Sequence, residues 1–161
     1  MLNHGYLSLE VINGTILPVP SERTPAGFYV IVSTPRGQWH TAVKSAMVDH
    51  SVPWNETLVM RAHPLMFLRW LMPIFPKKWK AVQLEIRASF EHGCLGRGEL
   101  LGTIHTTLEE LLLHAGKQFE IGLPVISAQC PSLLLRVKRA KAPQLPTHTA
   151  SNTQQRDRSY Y

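Results

Sequence analysis

Gly5-Tyr6-Leu7-Ser8-Leu9-Glu10-Val11 opens the chain with a strict alternation: Leu7, Leu9 and Val11 fall on one face of an extended strand, Ser8 and Glu10 on the other. Asn13-Gly14 follows as a turn signal, then Leu17-Pro18. Phe28-Tyr29-Val30-Ile31-Val32 is aromatic and β-branched, which suits a pleated, half-buried surface. Thr41-Ala42-Val43-Lys44 leads from there into Val52-Pro53-Trp54-Asn55-Glu56-Thr57. Turn chemistry recurs at Pro35-Arg36-Gly37 and from Gly93 through Gly98, so the strand signals have the spacing of an all-β sandwich. A short helix is predicted from Thr107 to Ala115. Thr107 and Glu110 make a capping box, Leu108, Leu111 and Leu112 form a helical stripe, and Gly116 is a natural stop.

Taken in order, GxLxLxVxxGxxLP, FYVxV, a TxVK strand and PWNE resemble the C2 domain family. The later segments agree. Leu84-Glu85-Ile86-Arg87-Ala88 stands where that family has its LxIxV strand, Gly98-Glu99-Leu100-Leu101-Gly102-Thr103-Ile104 resembles its DDxIGxxxI segment, and Leu133 to Val137 would be the closing strand. The likeness covers roughly residues 5 to 140. It implies an eight-stranded antiparallel β-sandwich, C2-like, with one short helix. The stretch from Ile86 to Gly116, IRASFEHGCLGRGELLGTIHTTLEELLLHAG, is similar more narrowly to C2-like modules at the N-terminal ends of large basidiomycete proteins with NTPase or helical-repeat regions.

The chain of 161 residues has only two aspartates, Asp49 and Asp157. Calcium needs six to eight oxygen ligands, largely carboxylates. The resemblance implies that calcium-binding relatives draw these from aspartates in the loop before the FYV strand and from a DxD pair after the LxIxV strand. Here the first loop, Pro20 to Gly27, keeps only Glu22, beside Arg23, and the DxD positions fall near Phe90 and His92. The third acidic position falls at Gly98, next to Glu99. A calcium-independent variant is therefore expected, with no metal and no cofactor; any residual site would have to use Glu22, Glu91 and Glu99.

Other function classes find little support. Cys94 and Cys130 have no CxxC spacing, so free thiols are expected rather than zinc or a disulfide framework. His92 precedes Cys94 by two residues, but no glycine-framed nucleophile turn or orienting aspartate accompanies them, and no enzyme is expected. No basic n-region precedes an apolar run at the start, so the chain reads as intracellular, cytoplasmic or peripheral at a membrane. A domain over residues 1–141 is followed by 142–161, APQLPTHTASNTQQRDRSYY, whose single sizeable aliphatic residue is Leu145. Such a tail cannot offset the entropy of ordering and is predicted to be disordered.

The candidate binding surface lies in Pro64 to Lys80, PLMFLRWLMPIFPKKWK, between the PWNE strand and the LxIxV strand. Phe67, Arg69, Trp70 and Phe75 sit in a dense apolar run, and Lys77, Lys78, Trp79 and Lys80 follow, with no acid between Glu56 and Glu85. The run is too short to span a bilayer and is broken by Arg69, Pro73 and Pro76, so no transmembrane segment is expected. Three readings stay open: a cover over one end of the sandwich, with lysine stems across its rim; a protein-partner interface; or an interfacial contact with anionic phospholipid. A net charge of +6 favours an acidic partner of some kind. Arg136 and Lys138 add a second basic site on one outward strand face. No recognition-helix pattern or aromatic strand set supports nucleic acid. The expected function is calcium-independent peripheral membrane docking, with a protein-protein targeting or regulatory module as the alternative.

Overall fold

The computed structural model describes residues 5–15, 17, 19, 21–62, 72–91, 98–123 and 131–141. Strands β1 (Gly5–Thr15), β2 (Gly27–Thr34), β3 (Gly37–His40) and β4 (Ser51–Ala62) are followed by a 3₁₀ turn at Met72–Ile74 and a one-turn helix α1 (Lys77–Lys80). Then come β5 (Ala81–Ser89), β6 (Glu99–Thr107), helix α2 (Leu108–Leu113), β7 (Gln118–Gly122) and β8 (Ser132–Ala140). Two four-stranded sheets, ordered β4-β1-β8-β7 and β3-β2-β5-β6, face each other, and every pairing is antiparallel. The period of two decides what lies between them. Leu7, Leu9 and Val11 of β1 and Leu133, Leu135 and Val137 of β8 meet Val30 and Val32 of β2 and Leu84 and Ile86 of β5, all buried.

Helix α2 forms as its caps dictate. Thr107 Oγ1 accepts from the Glu110 amide, the Glu110 carboxylate accepts from the Thr107 amide, and Leu108 and Leu111 are buried. Gly116 has φ of +80° and donates its amide to the Val137 carbonyl at 2.8 Å, which stops the helix against β8. A second helix, α1, joins the expected one at Lys77–Lys80.

Two local expectations are corrected. Asn13-Gly14 is not a turn; it lies inside β1, where the register to β4 and β8 shifts between Val11 and Asn13. The reason is Trp54. A Cβ on Gly14 would stand 2.7 Å from the Trp54 ring, so the glycine makes room for the indole, whose Nε1 donates to the Phe28 carbonyl at 3.0 Å and ties β4 to the opposite sheet. Within PWNE, Asn55 takes φ of +48° and Glu56 accepts from the Ala42 amide at 2.8 Å, so the motif is a structural joint between β4 and the segment after β3. The second correction concerns TxVK. The hairpin strand is Gly37–His40, and Thr41–Lys44 keeps a single bridge, Phe28 to Lys44. Thr41 breaks the ladder because its buried Oγ1, rather than a carbonyl, accepts from the Val30 amide.

The strand directions sort the connections into two ends. β1, β3, β5 and β7 run towards one end. At the other lie the start of β1, the β2–β3 turn at Pro35 and Arg36, the end of β4, α1, α2 and the end of β8.

Candidate functional site: a basic and aromatic end of the sandwich

Pro76, with φ of −55°, starts α1, and its carbonyl accepts from the Trp79 amide at 2.9 Å. One turn of helix sends its side chains in different directions. Lys77 and Lys78 are exposed, Trp79 is 45% exposed, and Ile74 just before them is 73% exposed. Arg36 and Arg61 are exposed at the same end, from the β2–β3 turn and the last residues of β4. None of Arg36, Arg61, Lys77 and Lys78 has an ion-pair partner among the described residues. Cations without an ion-pair partner keep their field for an outside one.

Lys80 departs from the expectation of a surface contact. It is buried at 9% exposure, with Nζ 3.3 Å from Glu109 Oε2 on α2, because the turn carries it inward under the helix and a carboxylate there offsets the cost of burial. Phe75 is half-buried and packs on the core, so it is part of the cover over this end rather than an exposed ring. Phe67, Arg69 and Trp70 lie outside the described residues. Arg136 and Lys138 do share an outward face, since Leu135 and Val137 point inward. Arg136, however, is tied to Glu10 of β1 at 3.1 Å, which leaves Lys138 as the exposed cation of that pair.

The opposite end holds Glu22, Glu91 and Glu99, the acids weighed as calcium ligands, and also Asp49. Glu99 turns both carboxylate oxygens onto Ser21: Oε1 accepts from its amide at 2.9 Å and Oε2 from its hydroxyl. Arg23 stacks over the Phe90 ring at 3.9 Å. Asp49 Oδ1 accepts from the Ser51 hydroxyl at 2.6 Å and the Ser51 amide at 3.0 Å, and these bonds hold its carboxyl below the usual carboxylate range. A cation would have to displace these donors. Among the described residues no group of three acids, histidines or cysteines converges. His92, Cys94, Cys130, Asp157 and the segment 142–161 lie outside the described residues.

No protein-family model and no curated protein sequence matches the chain. Solved structures do. The first-lettered C2 domain of plant extended synaptotagmin 1 aligns with a TM-score of 0.60 at 14% identity, over 87% of this chain and 97% of that one. The fold is that of a C2 domain. CC2D1B aligns with a TM-score of 0.54 at 21% identity, over 83% of this chain and 54% of its own. A calcium-bound pair of C2 domains from extended synaptotagmin 2 aligns with a TM-score of 0.56 at 14% identity, over 84% of this chain and 45% of theirs. The C2-like chain thus corresponds to one unit within these two longer proteins. Among its described residues, no helix is long and apolar enough to cross a membrane.

Arg36 and Arg61 were not singled out in the sequence. Arg61 carried a signal, since it falls in the acid-free interval between Glu56 and Glu85. Arg36 carried none beyond its turn, because only the β2–β3 hairpin places it beside α1.

Proposed function

We propose that this chain is a non-enzymatic C2-like module that docks peripherally on anionic phospholipid without calcium. One observation carries the reading: Lys77, Lys78, Trp79 and Ile74 stand exposed at the same end as Arg36 and Arg61, and none of these four cations is ion-paired among the described residues. Indole rings favour the headgroup boundary, and basic residues there favour anionic lipid. Calcium independence is supported by the bonds from Ser21 that occupy Glu99 and by the lack of a converging group of acids among the described residues. The C2 domains of extended synaptotagmin 2 occur with calcium bound, whereas this chain would dock without it. A protein-protein role is the alternative reading of the same surface.

Vesicle sedimentation tests the proposal. Vesicles containing phosphatidylserine should carry the protein down in chelator, and binding should weaken from low to physiological salt as the Debye length falls to about 8 Å. Absence of binding at low salt would leave the protein-interaction alternative. Thermal melting gives a second check. A micromolar calcium site at millimolar calcium would add roughly 4 kcal/mol of stability. No shift in Tm between calcium and chelator is expected; a reproducible rise of several degrees would assign Glu22, Glu91 and Glu99 as ligands after all.

A further inference from the structure

The basic end is not flat. Arg36 from the β2–β3 turn, Arg61 from β4, and Lys78 and Trp79 from α1 line an open groove of about 650 Å³, with Pro35 on its wall. Three cations thus come from three separate elements, and no acid lines the groove. Behind it lies a pit of about 30 Å³ whose apolar wall is Leu7, Met60, Val82 and Leu108, with Lys80 and Thr34 also on its lining. That is room for a water or two and not for an acyl chain. The occupant of the site is therefore compact, anionic and held in the groove, with any hydrocarbon left outside.

We infer that this groove receives the phosphomonoester headgroup of a membrane lipid, an inference that rests on the membrane-docking reading above. A phosphate monoester carries about 1.5 to 2 negative charges at neutral pH and three terminal oxygens. Two guanidinium forks and an ammonium supply donors for all three oxygens, whereas a carboxylate is satisfied by one fork. The source is a bilayer lipid rather than a soluble phosphate because Trp79 and Ile74, exposed at 45% and 73%, stand at the same end and gain only from an apolar cover.

The test compares phosphatidylcholine vesicles carrying phosphatidic acid with vesicles carrying phosphatidylserine at matched surface charge, both in chelator. The native chain should bind phosphatidic acid about tenfold more tightly. Arg36→Lys and Arg61→Lys keep the charge and lose the forks; each should bring phosphatidic acid binding down to the level of phosphatidylserine binding, with the melting temperature unchanged. Glycerol 3-phosphate, the same phosphomonoester without acyl chains, should bind at least about a hundredfold more weakly than phosphatidic acid vesicles, since it gains nothing from Trp79 and Ile74. Equal binding to the two vesicle types, or a preference that survives both Lys substitutions, would overturn the headgroup site while leaving general membrane docking intact. Equally tight binding of glycerol 3-phosphate would overturn the lipid source. Failure to bind either vesicle would overturn the docking reading itself.

Discussion

Replacing Trp54 by alanine is expected to cost about 3 to 5 kcal/mol of stability, a large share of what holds a domain of this size together. The indole is 4% exposed, fills the space above Gly14 and bonds the Phe28 carbonyl of the facing sheet. Its loss removes the transfer energy and leaves a cavity between the sheets, and the Phe28 carbonyl keeps only the Lys44 amide, at 2.9 Å, as donor. Trp79→Ala gives the contrast. That ring is 45% exposed, and its truncation should move stability by no more than about 0.5 kcal/mol. Urea unfolding of both variants checks the pair. Equal losses would mean that Trp79 belongs to the core and would remove it from the docking surface.

Reversing charge at Arg61, Lys77 and Lys78, each to glutamate, is expected to abolish vesicle binding with the fold unchanged. Each basic residue near an anionic surface contributes on the order of 1 kcal/mol, so neutralising three costs about 3 kcal/mol, and reversing them costs more. The fall in affinity should exceed a hundredfold. Arg136→Glu should do far less to binding, because Arg136 is already paired with Glu10 and stands on the sheet face. Quantitative co-sedimentation separates these outcomes. A larger loss from Arg136→Glu than from the triple variant would place the contact on the sheet face instead.

Local patterns revealed most of the sandwich. The alternation of Leu7, Leu9 and Val11 and of Leu133, Leu135 and Val137 specifies which faces meet, and Thr107 with Glu110 fixes the start of α2 without help from the rest of the chain. Where the reading slipped, a distant partner had decided. Asn13-Gly14 has turn chemistry, yet its glycine serves Trp54, far along the chain on β4, and the backbone stays in β1. Thr41 to Lys44 has strand composition, but a buried threonine hydroxyl takes the place of a ladder carbonyl. The proposed docking surface was legible as composition and not as geometry. Lys77, Lys78 and Lys80 look alike in sequence, and only the packing of α1 against α2 turns Lys80 onto Glu109. Arg136 met Glu10 across 126 positions, a pairing that only the β1–β8 register creates. Arg36 joined the site by the same kind of long-range closure.

Hydrogen exchange of the chain on phosphatidylserine vesicles in chelator, compared with the chain alone, addresses most directly which end meets the membrane. Slowed exchange is expected at residues 35–37, 61–62 and 72–80, the turn, strand end and helix that carry Arg36, Arg61, Lys78 and Trp79. Residues 41–50 at the opposite end, where Met47 and Val48 are exposed, should exchange as they do in solution. Protection confined to 41–50, or protection that appears only when calcium is added, would contradict docking by the basic end.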